Sequence, residues 1–161
     1  MSDDDIRKFD EIMNAHYASV GKVVSVWAEF EHRIQWAIWS LASLDNLTGA
    51  CITTHIGSSG RMIDSVIALL RIRGAPENAI KPLLKFAEEV AKSQRIRNRI
   101  VHDPWSFRLP SAQPHRMEMT AQKNIVSDLV PHSTEEVDDF LKKISVFPDQ
   151  FDALLTAVPL R

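Results

Sequence analysis

The chain has 161 residues, 45% of them hydrophobic and 25% charged, the make-up of one globular domain long enough to bury a core. Nineteen Lys and Arg against 21 Asp and Glu leave a formal net charge of -2, which excludes the strongly basic balance of a nonspecific nuclease but not a local basic patch. The single cysteine, Cys51, excludes an internal disulfide and a cysteine-built zinc cage, and it reads as a small buried apolar residue.

The start, Met1-Ser2-Asp3-Asp4-Asp5, is acidic, the reverse of a secretory or transit signal. No uncharged apolar run approaches the length of a membrane span, so the cytoplasm is the expected compartment and no membrane is an expected partner. Ser2 to Asp5 also reads as a helix start, with a capping side chain and acids suited to the positive pole of the macrodipole. The helical pattern then runs to about Leu44. Its strongest stripe is Val20, Val24, Trp27, Glu31, Ile34, Ile38 and Leu41, with Val23, Phe30 and Ala37 beside it. Gly21 is the candidate for a kink or a break between two helices. Glu31 occupies a place that the period reserves for an apolar side chain. It is therefore a candidate partner for a buried arginine, Arg97 first, unless the helix is rotated and Glu31 faces solvent. Trp36 lies off the Trp27 stripe and is expected to be exposed, while Trp27 and Trp39 read as core.

Asp45 and Asn46 carry turn chemistry, and the segment from Gly49 to Ile56 has the length of a short helix. Ser58 or Ser59 caps a helix from Arg61 to Arg73, which Gly74 ends, and Pro76 opens the next. That next helix reaches about Val101 and stops before Pro104, because the residue preceding a proline is driven out of helical geometry. Leu83, Ala87, Val90, Gln94, Arg97 and Val101 form its inward stripe, and Leu84, Glu88, Ala91, Arg95, Asn98 and His102 form the next one over. Arg97 thus stands in line with apolar residues, and Asn98 and His102 lie one turn apart on one face. From about residue 105 to 130 the helical period vanishes. Short alternating runs and two proline-bearing turns predict an irregular or β-ribbon insertion, made locally basic by Arg108, His115, Arg116 and Lys123. Ser133 to Glu136 starts the last helix, with Val137, Phe140, Leu141, Ile144 and Phe147 inward and an interruption at Pro148. The expected fold is all-α: a mostly antiparallel bundle of four main helices with the small insertion before the last, in a single domain spanning residues 1–161.

Arg97-Asn98-Arg99-Ile100-Val101-His102 resembles the signature of HEPN (higher eukaryotes and prokaryotes nucleotide-binding) domains, in which an Arg, often followed by Asn, precedes a His by four to six residues; here four intervene. Trp27-x-x-x-Glu31 is similar to a pattern in the first long helix of such domains and favours an inward Glu31. The resemblance extends over the bundle from about residue 15 to 157, with only the two short motifs specific. It implies a homodimer in which both copies of Arg97 and His102 line one cleft, with Asn98 beside them. In catalytic members this makes a metal-independent endoribonuclease of toxin or defence type that leaves a 2′,3′-cyclic phosphate.

The residue chemistry is compatible with that. Metal-free RNA cleavage needs a proton acceptor for the 2′-hydroxyl, a donor for the leaving 5′-oxygen and a cation for the phosphate. His and Arg are the side chains suited to these tasks. Asn98 fixes the imidazole or bonds the phosphate, and Lys92, Arg95 and Arg99 add charge for an RNA backbone. Trp105 either stacks on a base or covers the helix end. A purely structural reading stands beside this: an Arg97–Glu31 ion pair fixing helix register, and His102 capping its own helix. The corresponding functional alternatives are a silent HEPN-like module that binds a nucleotide, RNA or a protein, and a helical partner subunit of a toxin–antitoxin pair. His16, His32, His55, His115 and His132 show no metal spacing with carboxylates, and there is no Gly-rich phosphate loop and no Gly-x-Ser-x-Gly elbow. No metal and no cofactor is expected.

Overall fold

Several helices of this mostly helical chain begin or end where capping groups set them. A computed structural model describes residues 2–109, 111–120 and 126–159. The elements in chain order are α1 (Asp3–Leu41), α2 (Asn46–Thr53), α3 (Ser59–Ile72), α4 (Glu77–His102), β1 (Trp105–Arg108), β2 (Gln113–Thr120), β3 (Val126–Pro131), α5 (Thr134–Ser145) and α6 (Phe147–Thr156). Ser2 and Asp5 form a reciprocal cap at the start of α1, and Ser133 and Glu136 do the same for α5. Asp45 is not part of a free turn; its carboxylate accepts from the amides of Leu47 and Thr48 and so starts α2 earlier than expected. At the end of α3, Gly74 takes a left-handed φ of 77°. Its amide bonds the Arg71 carbonyl and the Ala75 amide bonds the Leu70 carbonyl, the paired closure that a residue without Cβ favours. Gly21 causes no break: α1 is continuous through it. Among the described residues no helix is long and apolar enough to cross a membrane.

The chain divides into two compact units, Met1–Val26 with Ile96–Ile144 and Trp27–Arg95 with Ser145–Arg161. Helices α1 and α4 each contribute to both. The first unit contains the insertion, which is a three-stranded antiparallel sheet in the order β1-β2-β3. Trp105 stands opposite Arg116, and His115 opposite Pro131. The expected basic surface of this insertion is not presented as such. His115 and Arg116 are buried, Arg108 is exposed, and Lys123 lies outside the described residues.

The second unit has an aromatic core. Phe30 meets Trp27, Phe86, Phe147 and Phe151 with ring centroids 5.7–6.2 Å apart, each near edge-to-face. Pro148 opens α6, which places Phe147 and Phe151 in this cluster. Trp39 is buried and Trp36 is 47% exposed, as the stripe predicts. Cys51, expected inside, is exposed, because α2 turns Gly49 and Thr53 inward and Cys51 falls on another face. Trp39 donates to the Thr53 hydroxyl at 3.1 Å, and its ring lies directly over Gly49. A Cβ at Gly49 would sit 2.4 Å from Cγ of that indole. Gly49→Ala is therefore expected to cost about 1–3 kcal/mol through overpacking, read as a lowered urea midpoint. An unchanged midpoint would mean that Trp39 swings clear at no cost.

Candidate functional site

The inward face of α4 comprises Ile80, Leu83, Phe86, Val90, Ser93 and Ile100, all buried, with Arg97 half-buried in the same line. Leu83 and Val90 are shared with the stripe read in the sequence, whereas Phe86, Ser93 and Ile100 stand where it placed Ala87, Gln94 and Val101. Arg97 keeps its place in it, whereas Asn98 and His102 are exposed, as a neighbouring stripe should be. The long Arg97 side chain runs outward from the apolar face, leaving its Nε buried without a hydrogen-bond partner. Its Nη1 reaches both neighbours, donating to Oδ1 of Asn98 at 3.2 Å and lying 3.3 Å from Nε2 of His102. A guanidinium only donates, so Nε2 of His102 is the acceptor and the ring proton belongs on Nδ1. The three residues expected to carry the chemistry are thus joined at the last turn of α4.

Trp105, the first residue of β1, covers that helix end. Its indole nitrogen donates to the Ile100 carbonyl at 2.9 Å, one of the carbonyls a helix C-terminus leaves unpaired. Its ring lies edge-on to His16 at 4.2 Å and tilted against His132 at 5.6 Å. Arg99 is exposed but paired with Glu118 at 2.7 Å. Lys92 and Arg95 belong to the other unit, where both are exposed and neither has an ion pair among the described residues. Glu31, expected to neutralise Arg97, is half-buried in its own unit. There Trp27 Nε1 donates to its Oε1 at 3.0 Å and the Ser59 hydroxyl donates to the same oxygen at 2.6 Å. Inwardness is as the Trp27-x-x-x-Glu31 pattern implies, but the bonds tie α1 to α3. No three His, Cys, Asp or Glu side chains converge as metal ligands among the described residues.

Two imidazoles whose spacing marks no metal site are enclosed by the fold. His16 is fully buried, with Nδ1 3.0 Å from the Thr134 hydroxyl, and His132 lies 3.3 Å from Glu136; the Nε2 of each is buried without a partner. His16 falls on the α1 stripe seven residues before Val23, and that spacing was the available signal. Burial holds both rings below the ordinary histidine range. His132 pushes His16 further down against the pull of Asp138, and Arg116 acts on His132 against Glu136 and Glu118. The folded protein keeps these rings neutral where the unfolded chain, below about pH 6.5, takes up protons. Stability is therefore expected to be complete above that pH and to fall as pH drops from it towards the depressed folded values. Thermal midpoints at a series of pH values test this. His132→Gln should flatten the decline, and a curve identical to that of the parent would refute the assignment.

Comparison of the chain with protein-family models, with curated proteins and with solved structures finds no match.

Proposed function

We propose that this protein is a metal-independent endoribonuclease of the HEPN type, acting as a homodimer with the helices arranged as an antiparallel bundle. The observation that carries the reading is the contact of one guanidinium nitrogen, Arg97 Nη1, with both Asn98 and His102. A phosphate arriving at this point competes for Arg97 with two oxygens, a better-matched partner than a neutral imidazole. Drawing Arg97 away frees the Nε2 lone pair of His102 to take the ribose 2′-hydroxyl proton. The 2′-oxygen then attacks phosphorus, the bond from phosphorus to the 5′-oxygen breaks, and a protonated imidazole, the partner's His102, supplies the proton to that oxygen. The products are a 2′,3′-cyclic phosphate and a 5′-hydroxyl. The exposed amide of Asn98 has donors left for a phosphate oxygen. The test is incubation of mixed RNA with the protein in excess chelator, with analysis of the new ends. A 3′-phosphate produced only on addition of metal would contradict the proposal.

A second reading is a HEPN-like module that binds RNA, a nucleotide or a protein such as an antitoxin without cutting. It is favoured by the net charge of -2 and by the pairing of Arg99 with Glu118, which leaves less free positive charge for a backbone. RNA retained on the protein and recovered intact would select it.

A further inference from the structure

Arg116 stands on β2 with 7% of its surface exposed, in the unit that holds the Arg97 site. A buried guanidinium costs several kcal/mol unless carboxylates accompany it. Two do. Arg116 bonds Glu118, two residues along the same strand face, and its Nε lies 3.4 Å from Oδ2 of Asp103, without the alignment of a hydrogen bond. The Glu118 oxygen that Arg116 holds, Oε1, also accepts from Arg99 Nη1 at 2.7 Å. The Met117 amide donates to the Pro104 carbonyl at 2.9 Å, so backbone and side chains of β2 grip the end of α4 together. The gripped residues bracket His102: Arg99 lies one turn before it and Asp103 directly after it. The four charges balance, so the cluster adds no net field that would attract RNA. Apolar side chains would join a strand to a helix end at least as stably. What ionic bonds from both sides of one residue add is direction.

We propose that Arg116 and Glu118 are positioning residues for His102: by clamping the final turn of α4 to β2, they hold Nε2 of its imidazole on Arg97. The consequence for catalysis rests on the ribonuclease reading; the consequence for the imidazole does not.

The test uses the full chain with 15N-labelled histidine, the ring signals of His102 being assigned with His102→Gln. In the parent, the Nδ1–H form is expected. Arg116→Met combined with Glu118→Met removes both ends of the buried pair, a change that folds tolerate far better than removal of one. Glu118→Gln, which keeps shape, decides the matter if the double variant does not fold. In either variant the Nδ1–H pattern is expected to give way to a mixture of tautomers while circular dichroism stays that of the parent. Where the parent cuts RNA, kcat is expected to fall about tenfold or more with KM held within about twofold. A tautomer pattern unmoved by the substitutions, or a parent that is already a mixture, overturns the proposal. A parent that cuts no RNA overturns the ribonuclease reading alone, because the ring nitrogens still report on the clamp.

Discussion

RNA incubated with the protein in chelator is expected to be cleaved, and His102→Ala is expected to slow that cleavage by about 100-fold or more, the usual loss when a positioned acid or base is removed. The imidazole is exposed, and its contact is with one neighbouring guanidinium, so its removal is expected to leave the thermal midpoint nearly unchanged. Arg97→Ala is expected to lose about 100-fold or more as well, because the charge that develops on phosphorus is then met by water instead of a fixed donor. Arg97→Lys separates shape from charge. An ammonium keeps the positive charge but not the planar fork, so most of the loss should remain. Arg97 differs from His102 in stability terms. Its stem is half-buried on the inner face of α4, and Arg97→Ala is expected to carry a modest packing loss along with the lost rate. Full cleavage by either alanine variant, with the same cyclic-phosphate ends, would remove Arg97 and His102 from the chemistry.

The largest stability effect is expected at Phe30. Its ring is 1% exposed and meets four other aromatic rings, so Phe30→Ala opens a cavity that the four remaining aromatics cannot close by small shifts. The expected cost is about 3–5 kcal/mol, a large share of the ~5–15 kcal/mol that holds a domain of this kind folded. Urea unfolding followed by tryptophan fluorescence measures it, since Trp27 is one of the four neighbours. Phe30→Leu should recover most of the loss, because it restores much of the volume. A Phe30→Ala midpoint close to that of the parent would show that this cluster is not the core of its unit.

Much of the helical framework was legible because its signals are local. Ser2, Ser58, Ser133 and Gly74 end or begin helices through bonds to residues within a turn or two, and the interruption at Pro148 follows from the proline ring itself. The juxtaposition of Arg97, Asn98 and His102 is of the same kind. Arg97 bonds the residue next to it and one five positions on, so their nearness follows from the helix itself. Gly21 misled because a lone glycine weakens a helix by only about 1 kcal/mol, which packing overrides.

Partnerships between distant residues had no such signal. Periodicity says that Glu31 points inward, but not which group waits there. Trp27 and Ser59 occupy the carboxylate, the second from a residue 28 positions away. Nor does alternation along β2 reveal that Arg116 is buried between Asp103 and Glu118, or that Trp105 lies between His16 and His132. The amino-acid order by itself determined most helix ends and the place of the non-helical insertion, since each depends on neighbours a turn or a strand step away. Only the tertiary structure decided which charges are matched, which histidines are buried and what holds the end of α4. Those outcomes depend on which side chains long-range packing removes from water, and the free energy of a buried charge is set by the partner it meets there.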